Sequence, residues 1–68
     1  MERDAGLAAK FASLWPHLNE RHRRLLLAAE AQALGRGGIS RVAAAAGVSR
    51  PTVHKGLEEL GHPAEEPV

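Results

Sequence analysis

The chain contains no cysteine and no tyrosine, and its only aromatic residues are Phe11 and Trp15. Without cysteine it forms no disulfide, no thiolate zinc site and no cysteine nucleophile, which fits a reducing cytoplasm. Valine and isoleucine are few while alanine and leucine dominate, a composition for helix rather than sheet. Long apolar runs are also missing. The longest nearly apolar stretch, Leu25 to Ala29, is far shorter than the roughly 20 residues of a membrane span. Met1-Glu2-Arg3-Asp4 leads into no apolar h-region, so no secretory signal is expected. With 68 residues the chain makes one domain. A domain this small buries only about 60% of its unfolded surface, so its core is thin.

The net charge of +1 conceals a division. Residues 1–57 carry all nine Lys/Arg against Glu2, Asp4, Glu20 and Glu30, whereas residues 58–68 carry only acids: Glu58, Glu59, Glu65 and Glu66. A basic body with an acidic end suits an anionic partner for the body. A merely solvated surface has the same balance.

Helical periodicity organises the chain. Leu7, Ala8, Phe11, Leu14 and Trp15 make one face of a helix of about ten residues, with Asp4 as its expected N-cap and Pro16 as its stop. Asn19 is the next N-cap, and Glu20 to Leu34 reads as a second helix. Leu26, Ala29 and Ala33 mark its expected buried stripe, widened by Leu27, Ala31 and Leu34, and Glu20 is placed to pair with Arg24. Gly35 is the expected left-handed terminator. Gly35-Arg36-Gly37-Gly38 lacks the Lys-Ser/Thr of a nucleotide P-loop and reads as a connector. Ile39 to Ala46 and Arg50 to Leu60 are two further helices around a turn at Gly47-Val48-Ser49, and Gly61-His62-Pro63 stops the last. The expected fold is therefore all-α, a small bundle of about four helices in residues 1–61. Residues 62–68 are expected to form a disordered acidic tail.

Residues 39–60 read as a helix-turn-helix, and each special position has a mechanical reason. Ala43 must be small where two helices meet, and Gly47 sits at the bend, where positive φ is cheap only for glycine. Val48 plugs the core beneath the turn, Ser49 caps the second helix, and Pro51 lies in its first turn. Val53, Leu57 and Leu60 form the inward face. Arg50, Pro51, Thr52, His54 and Lys55 are left outward. In this motif the front of the second helix enters a major groove, where Arg and Lys donate to guanine or phosphate. Ser49, Thr52 and the first backbone N–H groups suit phosphate oxygens. Arg36 and Arg41 are weaker candidates for phosphate contact. Glycine at position 56, inside a helix, costs about 1 kcal/mol relative to alanine. It either permits close approach to the second helix or weakens the fold.

Val42-Ala43-x-x-Ala46-Gly47-Val48-Ser49-x-x-Thr52-Val53 resembles the reading head of lactose-repressor-type regulators, and Ser49-Arg50-Pro51-Thr52-Val53 resembles gluconate-repressor-type winged regulators. A longer stretch, Leu18 to Leu60, resembles the N-terminal region of ISAzo-thirteen-type insertion-sequence transposases. The features that carry this are Glu20-Arg21, Arg23-Arg24-Leu25, Ala29-Glu30-Ala31, and Leu34-Gly35 with Gly37-Gly38-Ile39. Asn19 and His22 depart from it, standing where Asp and Gln are expected. The resemblance implies a helix-turn-helix head that binds transposon ends. The family's DDE chemistry needs three separated carboxylates and two metal ions. This chain has one aspartate, Asp4, and implies a truncated transposase or fragment without that engine.

Other residues add less. His17, His22, His54 and His62 are scattered over different elements and form no zinc spacing. Glu58-Glu59 and Glu65-Glu66 are adjacent only in sequence and read as solvated surface. Arg21, Arg23 and Arg24 are either a solvated face or a backbone clamp beside the recognition helix. The expectation is thus a non-enzymatic, cofactor-free binder of double-stranded DNA, cytoplasmic on a bacterial nucleoid, away from membranes, with a homodimer left open. A stand-alone transcription regulator is the nearest alternative. A helical protein-interaction module using Leu7, Phe11, Leu14 and Trp15 is the alternative of another class.

Overall fold

The computed structural model describes residues 4–61 and is all-α among them. Its helices are α1 (Ala5–Leu14), α2 (Glu20–Leu34), α3 (Gly38–Ala46) and α4 (Arg50–Leu60), with a 3-10 turn at Trp15–His17 between the first two. The expected acidic tail at 62–68 lies outside the described residues. No helix among the described residues is long and apolar enough to cross a membrane.

Local chemistry sets most of the ends. The Asn19 side chain accepts from the His22 amide at 2.8 Å, capping α2. Pro16 falls inside the 3-10 turn, two residues past the end of α1. Gly35 closes α2 with positive φ (76°), although its ψ of −136° lies outside the left-handed helical region. Position 4 is the N-cap of α1 as expected, but the Asp4 side chain makes no cap bond. Its carboxylate accepts from Arg41 instead.

Packing is centred on α2, which carries α3 and α4, while α1 packs on α3 and reaches α2 through the Lys10–Glu30 ion pair. Phe11, Leu27, Ala28, Ala31, Val42, Ala43 and Val53 are buried, and Leu27, Val42 and Val53 are almost wholly enclosed. Each such side chain stabilises the fold by roughly 1.5–3 kcal/mol. The buried line of α2 therefore runs through Leu27, Ala28 and Ala31, rotated from the expected stripe. Ala29 and Ala33 are exposed, while Leu26 and Leu34 pack half-buried at the margins. The rotation has a steric cause. α3 starts against Ala31 and α4 crosses at Arg24 and Ala28, so this arc of α2 is the one they cover.

Two glycines make these approaches. A methyl on Gly38 would collide with the Ala31 carbonyl oxygen, and one on Gly56 with that of Arg24. Gly56 thus resolves in favour of close approach to α2, and it is buried. On α4, Val53 points inward and Leu57 is half-buried, but Leu60 is exposed, contrary to expectation, where α4 runs past the core.

Candidate nucleic-acid interface

The turn between α3 and α4 is built by three consecutive residues. Gly47 adopts the left-handed conformation (φ 71°, ψ 34°), which a side chain would strain. Val48 packs half-buried against the core, and its amide returns to the Ala43 carbonyl at 3.0 Å. Ser49 is the N-cap of α4, its Oγ accepting from the Thr52 amide at 3.3 Å. The Ser49 and Thr52 hydroxyls also bond each other at 2.9 Å. A hydroxyl can make more than one hydrogen bond, so each keeps capacity for a further acceptor or donor.

With Val53 and Gly56 buried against α2, helical geometry turns Arg50, Pro51, His54 and Lys55 outward, and all four are exposed. Thr52 sits at the edge, half-buried. No described residue forms a hydrogen bond or ion pair with the side chains of Arg50, His54 or Lys55, though Lys55 attracts the Glu59 carboxylate. The front of α4 holds a local electrostatic conflict. Arg50 occupies the first helical position, and the first turn contains no acid, although the partial positive charge of a helix N-terminus favours anions. An anionic ligand at this end relieves that conflict. The sequence-expected set Ser49, Arg50, Pro51, Thr52, His54 and Lys55 is thus brought together at one end of one helix.

Arg36 and Arg41 fare differently. Arg36 stays exposed in the glycine-rich connector, with no described residue as partner. Arg41 turns toward the start of α1, its Nε and Nη2 donating to Asp4 Oδ1 at 3.1 and 2.7 Å. That hydrogen bond raises its pKa, and the side chain is only one-third exposed (33%). It serves the α1–α3 join rather than the α4 surface.

The basic cluster on α2 is divided in the same way. Arg23 donates from Nε and Nη2 to the Trp15 carbonyl at 3.1 and 2.7 Å, and its guanidinium carbon lies 5.1 Å from the Trp15 ring centroid. Arg24 forms its ion pair with Glu59 on α4, in a two-pronged contact of 2.7 and 2.8 Å, and the expected partner Glu20 adds only a weaker attraction. The bond raises the Arg24 pKa and holds the Glu59 carboxyl below the usual carboxylate range, with Lys55 and Arg21 adding attraction. Glu59 is therefore a tie between helices, not the solvated surface expected from its sequence position. Arg21 remains exposed.

His17, His22 and His54 are exposed and far from forming a ligand set; among the described residues no group of metal-binding side chains gathers. His62 lies outside those residues. No protein-family model matches the chain, and no curated protein or solved structure is similar to it.

Proposed function

We propose that the chain binds duplex DNA in a sequence-directed way, with the front of α4 in a major groove. The observation that carries this reading is the exposed set Arg50, His54 and Lys55, whose side chains hydrogen-bond to no described residue, on a helix anchored inward by Val53 and Gly56. Arg50 is the base reader, by donation to guanine O6 and N7. Lys55, the Ser49 and Thr52 hydroxyls, the first amides of α4 and Arg36 contact phosphate and fix register. The resemblance of residues 18–60 narrows the proposal to the end-recognition head of an insertion-sequence transposase, which supplies binding and no chemistry.

Selection of bound duplexes from a random DNA pool tests the reading. The native chain is expected to enrich a short motif, and Lys55→Glu to lose binding at moderate salt. A pool that emerges unenriched overturns it. The reading of another class, a protein-docking role for α1, draws on an apolar groove lined by Ala8, Phe11, Ala12, Trp15, Ala45 and Ala46. Salt separates the two, because phosphate contacts weaken steeply with salt and apolar docking does not.

A further inference from the structure

Beside α4 lies a cleft of about 270 Å³, lined by Glu20, Arg23, Arg24 and Leu27 of α2 and by Thr52 and Lys55 of α4. We propose that this cleft is a phosphoryl-binding site, in which Lys55 and the two arginines hold one phosphate group against the α2–α4 seam. The sequence offered Arg21, Arg23 and Arg24 as a clamp beside the recognition helix, but not a cleft shared with Lys55, Thr52 and Glu20, which lie on two helices some thirty positions apart.

Size and charge both point to this ligand. The volume falls below the ~300 Å³ at which pockets for drug-sized molecules begin, so it suits a single charged group with its water. Three bases line the cleft against one acid, Glu20, and Glu59 beside it is bonded to Arg24 and attracted by Lys55, so the group keeps one positive charge in excess. The Lys55 side chain makes no hydrogen bond or ion pair with a described residue, feels the attraction of Glu59, and brings three donors on a flexible stem. Arg23 and Arg24 are already held, one by the Trp15 carbonyl and one by Glu59. Each guanidinium has five N–H donors and spends two on that contact, from Nε and Nη2. Their rotamers are therefore fixed before a ligand arrives, which lowers the ordering cost of binding. The Thr52 hydroxyl supplies a neutral donor or acceptor at the α4 side.

The phosphoryl group has two sources, a DNA phosphodiester beside the α4 contacts or free inorganic phosphate. The first rests on the DNA-binding reading; the chemistry of the cleft does not. An NMR titration of the full chain distinguishes them. It follows the backbone amides of Glu20, Arg23, Arg24, Thr52 and Lys55 and the side-chain Nε–H of both arginines. Inorganic phosphate is expected to shift these signals saturably, and sodium chloride at matched ionic strength to leave them in place. Glu20→Gln removes the opposing charge without touching the core. It is expected to tighten phosphate binding about twofold to fivefold, and to tighten duplex binding equally on every sequence, since phosphate contacts carry no base information. Phosphate shifts no different from those in chloride, or an unchanged affinity in Glu20→Gln, overturn the site. If duplex moves Arg50 and His54 while neither duplex nor phosphate moves the cleft, the site falls and the DNA reading stands. If phosphate saturates the cleft while duplex moves nothing, the site stands with free phosphate as its ligand and the DNA reading falls.

Discussion

Arg50 and Ser49 are neighbours with separable tasks. Arg50 is exposed and its side chain bonds no described residue, so its loss leaves the core untouched. Arg50→Ala is expected to weaken binding to the preferred duplex by about 1–3 kcal/mol, the worth of a bidentate guanine contact, and to relax preference at one base position. Binding measured on a panel of single-base variants checks this; an equal loss on every sequence makes Arg50 a phosphate contact instead. Ser49 caps the helix through its hydroxyl. Ser49→Ala is expected to cost about 1 kcal/mol of folding stability, read as a lower urea midpoint, with base preference unchanged. Both residues were legible in the sequence because caps and helix-front positions depend on the next three or four residues only. The engagement of Arg41 and Arg24 was not legible. Their acidic partners lie 37 and 35 positions away, and no local rule reaches that far.

At the scale of an element, the seam between α2 and α4 depends on what one side chain omits. Helix propensity favours alanine over glycine by about 1 kcal/mol, so Gly56→Ala on an isolated helix is stabilising. In this fold the added methyl meets the Arg24 carbonyl, a backbone atom that cannot turn away. Gly56→Ala is therefore expected to destabilise by about 1–3 kcal/mol, the usual cost of overpacking, in thermal or denaturant unfolding. A rise in stability means that α4 does not cross α2 at that point. The crossing also explains the rotated stripe on α2. Periodicity gives an amphipathic helix its apolar arc but not which edge of a broad alanine-rich arc is covered. Ala28 and Ala31 are covered because α4 and α3 approach there, while Ala29 and Ala33 face solvent.

Across the whole molecule, ion pairs tie the helices together. Lys10 joins Glu30 at 2.8 Å between α1 and α2, Arg41 joins Asp4 at 2.7 Å between α3 and the start of α1, and Arg24 joins Glu59 at 2.7 Å between α2 and α4. These pairings leave Arg21, Arg23, Arg36, Arg50 and Lys55 against only Glu20 and Glu58 among the described residues. The surplus that faces solvent is basic, as an anionic partner requires. The Glu59 tie also carries a pH dependence. Its carboxyl binds a proton less readily in the folded chain than in the unfolded one, chiefly through the Arg24 hydrogen bond. Its contribution is therefore full above the ordinary carboxylate pKa of about 4.3 and is lost as pH falls through the lower folded value. Glu59→Gln is expected to lower the unfolding midpoint at pH 7, by an amount that shrinks in high salt. The difference from the native chain is expected to vanish in acid. A difference that persists unchanged at low pH assigns the loss to packing rather than charge.

Helix content, the four segments, the bend at Gly47 and the outward set on α4 were all written in local order. Each follows from periodicity, capping or the one residue type that tolerates a positive φ. Folding in three dimensions decided the rest: which arginines are spent on carboxylates and a tryptophan carbonyl, which alanines are covered, and where a cleft opens beside α4. Those outcomes depend on helix crossings between residues far apart in the chain. A crossing is set by shape at the contact, by the missing side chains of Gly38 and Gly56, rather than by any short-range pattern.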